Sequence, residues 1–233
     1  MVMKTVVICA MFDEAQGLID RLRLKKKEKL ASGADVYYGK IGDNEIIVTV
    51  CLAGKVAAAM VAAETVVMYK PDRIINLGIA GGVEPGVGTG DICISSGFIQ
   101  YDFDISPLGT EKTELDELGI KTIYADKDLA DKLFEIVKSV YPAENCIKGI
   151  IATGDSFLAD GEAALALYTD YNASVCDMEG AAIAYVCYLC KIPFAAVRAI
   201  SDNANESSPV DFPTFRKLAI EKSTEIMYRF FTE

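Results

Sequence analysis

Short apolar runs rich in β-branched residues alternate with segments of helical period along the whole chain, and this alternation restricts the fold more than any other feature. Lys4–Ala10 has continuous strand character and is followed by helical spacing over Glu14–Leu24. Val36–Gly39 and Glu45–Val50 read as strands joined by a turn at Gly42-Asp43-Asn44. Gly54–Tyr69 is rich in alanine, with valine and methionine on repeating faces, and predicts a buried helix. Further strands are expected at Arg73–Leu77, Asp91–Ile99, Lys148–Ala152, Ala173–Val175 and Phe194–Ile200, and further helices at Leu129–Tyr141, Gly161–Tyr168 and Phe212–Phe231. Such alternation implies an α/β fold with a mainly parallel sheet wrapped by helices. No repeat, low-complexity tract or linker interrupts it, so residues 1–233 are expected to form one domain. Tyr101–Asp126 is polar, glycine-dotted and poorly periodic, the pattern of a functional loop or a partner contact.

The charge balance narrows the partners. A net charge of -11 disfavours nucleic acid and anionic membranes. The one basic cluster, Lys25-Lys26-Lys27 with Arg21, Arg23 and Lys29, is expected to be the solvated end of the first helix, where cations suit the helix dipole. No apolar run is long enough to cross a bilayer, and the apolar start runs straight into Asp13 and Glu14 without a cleavage region. Seven cysteines scattered among apolar neighbours suit reduced thiols in a cytoplasmic protein. The Cys187/Cys190 pair has packing spacing and no second pair to make a zinc site. The chain contains no histidine, so acid–base chemistry must come from carboxylates, lysine, tyrosine, cysteine or water.

Distinctive residues gather just beyond the carboxyl ends of the predicted strands. A-M-F-D-E ends at Glu14, G-I-A-G-G covers Gly78 to Gly82, and T-G-D-S-F-L covers Thr153 to Leu158. C-D-M-E-G follows Val175, and S-D-N carries Asp202. Ligands of open α/β sheets bind at such ends. Each element has a structural reading: Glu14 and Asp202 as caps, the glycines as a tight turn, Asp177 and Glu179 as charges at a helix amino end. Together they place Glu14, Asp177, Glu179 and Asp202 at one rim, where their mutual repulsion is a cost that points to a site. The acids lack the close loop spacing of a metal cage, so no metal or other cofactor is expected. Separate carboxylates acting as acid and base around a sugar-like cation suit glycosidic cleavage.

A-M-F-D-E, N-L-G-I-A-G-G (Asn76–Gly82), T-G-D-S-F, D-M-E-G-A-A-I-A (Asp177–Ala184) and V-R-A-I-S-D (Val197–Asp202) occur in the order seen in the nucleoside phosphorylase/nucleosidase superfamily, which the chain resembles from about Lys4 to the C-terminal helix. Within it the chain is most similar to the 5′-methylthioadenosine/S-adenosylhomocysteine nucleosidases. The resemblance implies a three-layer sandwich with a central mixed, mostly parallel twisted sheet. It implies hydrolysis of the N-glycosidic bond between adenine and a 5′-thio-substituted ribose. Carried over position by position, Asp202 would protonate N7 of adenine, Glu14 would activate water and Glu179 would bind the ribose hydroxyls. Met178 would lie beneath the sugar, Phe157 would stack on the purine and the Leu158 backbone would read its edge. Met11 and Phe212 would line the 5′ pocket, and Gly81, Ile79, Arg198 and Ser201 complete the implied substrate-binding set.

Three positions depart from the family pattern. Asp177 stands where glutamate is common, Ile79 where a small hydroxyl residue is usual, and Ala53 where a bulkier apolar residue sits beside the 5′ group. A phosphorylase on the same fold would need a cationic phosphate pocket, and Arg198 is the one arginine within the rim motifs. An aminofutalosine-type nucleosidase would keep the carboxylates and change only the 5′ pocket, and a purine-binding sensory module would not need a water base. The resemblance also implies a homodimer in which Tyr101–Leu108 of the neighbour completes the 5′ pocket, with the Gly54–Tyr69 helix at the interface or buried within the subunit.

Overall fold

The computed structural model describes residues 2–115, 118–205 and 208–233. Among these residues ten strands and six α-helices follow one another as β1 (Met3–Cys9), α1 (Phe12–Arg21), β2 (Lys25–Lys29), β3 (Asp35–Ile41), β4 (Asn44–Val50), α2 (Lys55–Tyr69), β5 (Arg73–Gly82), β6 (Ile92–Gln100), β7 (Ile123–Tyr124), α3 (Lys127–Val140), β8 (Cys146–Thr153), α4 (Gly161–Tyr171), β9 (Ala173–Asp177), α5 (Gly180–Cys190), β10 (Phe194–Asp202) and α6 (Ser208–Thr232). All strands join one mixed sheet in the order β10-β6-β8-β9-β5-β1-β4-β3-β2, with β7 beside β6. The long ladders of β1 with β4, β5 with β10 and β6 with β8 are parallel, while β2, β3 and β4 form an antiparallel flank. β10 also pairs with β5, so β5, β9, β8, β6 and β10 curl into a closed ring from which β1, β4, β3 and β2 extend.

Both faces of the sheet are covered, which explains the unbroken apolar strands. In β1, Val6 and Ile8 join one core while Val7 and Cys9 join the other. The alternating directions of successive strand residues feed two layers at once. The first core takes Ala58, Val61 and Ala62 of α2 and Ala181 to Ala184 of α5. The second takes Leu18 of α1, Leu133 of α3 and Ile226, Met227 and Phe230 of α6. Helix, sheet and helix make three layers, as the sequence implied. Among the described residues no helix is long and apolar enough to cross a membrane, and no disulfide links the cysteines.

Two local expectations are corrected. The basic cluster is not a helix end. α1 stops at Arg21, Arg23 turns into the left-handed region at φ 54°, and Lys25–Lys29 forms the edge strand β2 against β3. Leu24 is buried, and Lys26 reaches Asp35 at 2.6 Å while the Lys27 ammonium lies 5.4 Å from the Tyr38 and Tyr69 ring centroids. Lysines along an exposed edge also discourage pairing with another sheet. G-I-A-G-G is not a tight turn either. It is the second half of β5, where Gly81 and Gly82 pair antiparallel with Cys176 and Val175 of β9. The described residues between Tyr101 and Asp126 are irregular as expected, apart from a 3-10 turn at Ser106–Leu108, a bridge between Leu115 and Ile120, and β7.

Candidate active site

β1, β5, β8, β9 and β10 converge at one end of the sheet around a cavity of about 260 Å³. Met11, Glu14, Ile79, Gly81, Phe157, Leu158, Met178, Glu179, Ser201, Asp202 and Phe212 all line it, as does Ala53. Arg198 does not. It is 1% exposed and lies beneath the cavity, so of the implied substrate-binding set it alone has no place on the wall. Ser156 and Cys176, which belong to the quoted rim motifs but were given no role of their own, also line the cavity. Their motifs were marked by position at the strand ends, but a serine and a thiol there carry no signal of what they would touch.

Glu14 sits at the third position of α1 and folds back over the helix start. Its Oε2 accepts the N–H groups of Ala10 and Met11 at 3.0 and 2.8 Å, and its Oε1 accepts that of Ile79 at 3.1 Å. Burial pushes its pKa up, while the Met11 N–H, Arg198 and the Ile79 N–H pull against the rise. Gly78 makes room for this carboxylate: a Cβ there would lie 2.8 Å from Oε1 of Glu14 and 3.2 Å from Nη1 of Arg198.

Glu179 follows β9 by two residues and sits immediately before α5. Its Oε1 accepts the Gly54 N–H at 3.0 Å. Burial first and the neighbouring Asp177 second raise its pKa to about 7, against the opposing pull of Arg198. Asp202 ends β10, 3% exposed. Its Oδ2 accepts the Ser201 hydroxyl at 2.9 Å and its Oδ1 the Ala204 N–H at 2.9 Å. That second bond accompanies a left-handed Ala204, φ 51°, which turns the chain back toward Gly81. A Cβ on Gly81 would stand 3.2 Å from both Asp202 Oδ1 and Cys176 Sγ, so this glycine lets β5 approach the acid.

A buried ion pair joins the cavity wall to the layer beneath it, since Asp177 lines the cavity and Arg198 lies under it. Arg198 Nε and Nη2 donate to Asp177 Oδ2 at 3.0 and 2.6 Å. Nη1 donates to the Asn76 and Val197 carbonyls, and Nη2 also donates to Asn76 Oδ1. Each guanidinium donor thus has an acceptor. Burial works against the Arg198 charge, but Asp177, Glu179 and Glu14 outweigh it and hold its pKa above the ordinary value. Asp177 is further fixed by the Thr153 hydroxyl at 2.6 Å and the Gly180 N–H at 3.0 Å. Asn76, polar within the apolar run I-I-N-L, anchors the far side through Ile8 O at 2.8 Å.

The cavity therefore presents carboxylates from three distant segments over a single neutralised cation. That arrangement can hold a proton on one acid, accept one at another and favour positive charge between them. Its apolar wall includes the Phe157 and Phe212 rings, packed edge to face with centroids 5.5 Å apart. Among the described residues no three histidine, cysteine, aspartate or glutamate side chains are grouped to hold a metal.

Comparison with known proteins bears on this geometry. The sequence profile of the phosphorylase superfamily matches residues 4–232. The chain is 35% identical over 214 residues to the 5′-methylthioadenosine/S-adenosylhomocysteine nucleosidase of Shewanella loihica, covering 91% of this chain and 92% of the relative. It is 34% identical to that of Glaesserella parasuis, covering 97% of this chain and 96% of the relative. The crystal structure of S-adenosylhomocysteine nucleosidase from Streptococcus pyogenes in complex with 5-methylthiotubericidin superposes with a TM-score of 0.91 at 30% identity, covering 98% of this chain and 95% of that one.

Proposed function

The chain belongs to the phosphorylase superfamily, among the 5′-methylthioadenosine/S-adenosylhomocysteine nucleosidases, and from that membership we propose that it hydrolyses both nucleosides to adenine and the 5′-thioribose. The observation that supports this reading most directly is the meeting of Glu14, Glu179 and Asp202 on one cavity wall. As the bond from the sugar C1′ to the purine breaks, its electrons move onto the base and Asp202 delivers a proton to N7. Water bonds to C1′ and gives its proton to Glu14, whose three backbone donors hold the carboxylate in place. Glu179 accepts from the ribose hydroxyls, and its charge favours the cationic sugar. Met178 lies under the ribose, Phe157 stacks on adenine, the Leu158 backbone reads its edge, and Met11 and Phe212 take the 5′ group.

Water is favoured over phosphate as nucleophile. Phosphate would stand against Glu14, and every N–H of Arg198 is already taken. Adenine release from 5′-methylthioadenosine with phosphate omitted is the expected result, and Asp202→Asn should lower kcat by about 100-fold or more while adenine still binds. Strict dependence on phosphate would turn the assignment to a phosphorylase. Nucleoside binding without cleavage would turn it to a sensory module.

We also place the working form as a homodimer. Leu52, Val56, Val67 and Leu108 are strongly exposed apolar residues around α2 and the 101–108 segment, a surface suited to a second copy of the chain. In that arrangement Tyr101–Leu108 of the neighbour completes the 5′ pocket.

A further inference from the structure

Three loops meet at the rim of the cavity without contributing a catalytic side chain, and one lysine ties them together. The Lys55 ammonium reaches Asp102 Oδ1 at 2.5 Å and Asp155 Oδ2 at 3.9 Å. Asp102 Oδ2 accepts the Asp155 N–H at 2.9 Å, and Asp155 Oδ1 accepts the Lys55 N–H at 2.7 Å. The circuit is closed, and the Lys55 side chain is only 18% exposed. Asp102 and Asp155 keep 32% and 48% exposure, so the ion pairs by themselves contribute little, and it is the two backbone N–H donors locking the carboxylates that fix the geometry.

The tied segments are the ones that shape the site. The first carries Ala53 on the cavity wall and the Gly54 N–H that Glu179 accepts. It reaches that geometry through left-handed Leu52, φ 70°, and Gly54, φ 101°. A leucine held there is strained and persists only where its surroundings over-determine it. The second segment, after β8, carries Ser156, Phe157 and Leu158. The third begins at Tyr101, whose ring packs so close to Gly154 that a Cβ there would lie 2.3 Å from it.

We propose that Lys55, Asp102 and Asp155 form a positioning cluster for substrate binding, in which one ammonium, with two backbone donors, holds the Phe157 wall and the Gly54 donor of Glu179 in register. This rests on the nucleosidase reading and deepens it. Without the ammonium, two carboxylates face each other across the circuit and push the loops apart. The purine wall loosens, whereas Glu14 and Asp202, fixed by α1, β5 and β10, stay in place.

The test is the adenine Kd by calorimetry, and KM and kcat for 5′-methylthioadenosine, in Lys55→Met and Lys55→Arg. For Lys55→Met, Kd and KM should rise on the order of tenfold with kcat within about threefold, and Lys55→Arg should restore both to within about threefold. An adenine Kd within about twofold of wild type in folded Lys55→Met overturns the cluster. A fall in kcat alone, with Kd and KM unchanged, also overturns it, since that is what a smaller folded fraction produces. Where Lys55→Met does not fold, Asp102→Ala opens the same circuit from the outer loop and is judged by the same criteria. Wild type that binds adenine but never cleaves the nucleoside refutes the function proposed above, and the adenine comparison still decides the cluster.

Discussion

Glu179 shows what the site costs the fold. Its carboxyl is buried beside Asp177, and its pKa rises from 4.5 to about 7. An acid whose folded pKa is raised binds its proton more tightly when folded. Its stabilising share is fully present below the unfolded value and is lost as pH rises through the folded one. The ligand-free protein should therefore lose stability between about pH 4.5 and 7 through this residue, with buried Glu14 acting in the same sense. Glu179→Gln keeps an acceptor for the Gly54 N–H but has no charge to bury. It should be more stable than wild type by on the order of 2 kcal/mol at pH 8 and nearly equal at pH 4. Urea unfolding of both proteins at the two pH values measures this, and a gap that fails to grow with pH would refute it. Asp177 carries the complementary lesson. The sequence placed its charge at the rim, whereas Thr153 reaches it only through the pairing of β8 with β9 and Arg198 only through the curl that brings β10 near. The departure from glutamate is absorbed by a direct contact with Arg198.

β5 is the element on which the site turns. Its first half pairs with β1 and its second half leaves that neighbour for β9, while β10 follows it throughout. The opening between β1 and β9 is where Glu14 enters from α1 and meets the Ile79 N–H. This was hard to read in advance. Glycine and alanine in G-I-A-G-G carry the local signature of a turn, and only pairing with β9 makes them strand. β2 was missed for the converse reason: five residues of charge have no strand period, and their pairing depends on β3. The apolar runs of β1, β4 and β10 were legible because burial on both faces leaves a continuous signal. The role of β5 predicts a sharp effect of Gly78→Ala. A methyl group 2.8 Å from Glu14 Oε1 must displace that carboxylate. A shift near 1 Å in a catalytic base lowers rate by about 100-fold. Steady-state turnover of 5′-methylthioadenosine should fall by that order while adenine affinity stays within about threefold, because Phe157, Leu158 and Asp202 are untouched. Full activity in Gly78→Ala would mean that Glu14 is not the water base.

At the scale of the whole molecule, the unburied apolar surface is the feature the single chain does not explain. α2 is apolar on most sides: Ala58, Val61 and Ala62 enter the core, while Val56 and Val67 are 82% and 75% exposed. Leu52 at its start and Leu108 in the neighbouring loop extend the same character. The alanine-rich sequence left open whether this helix is buried within the subunit or at an interface, and the structure divides its residues between the core and solvent. A second copy seated there would cover the surface, and on the reading adopted above it would also bring Tyr101–Leu108 over the 5′ pocket. The particle in solution should then have about twice the 25.2 kDa chain mass by light scattering at micromolar concentration. Val56→Asp puts a charge where desolvation opposes it and should shift the protein to monomer. The kinetic consequence separates a working interface from an incidental one. Adenine has no 5′ substituent, so its Kd should be unchanged in the monomer. The KM for 5′-methylthioadenosine should rise on the order of tenfold, because each protomer then lacks the neighbour's wall around the thioether. A monomer that keeps the wild-type KM would show that one chain encloses the whole substrate, and the exposed face of α2 would need another occupant.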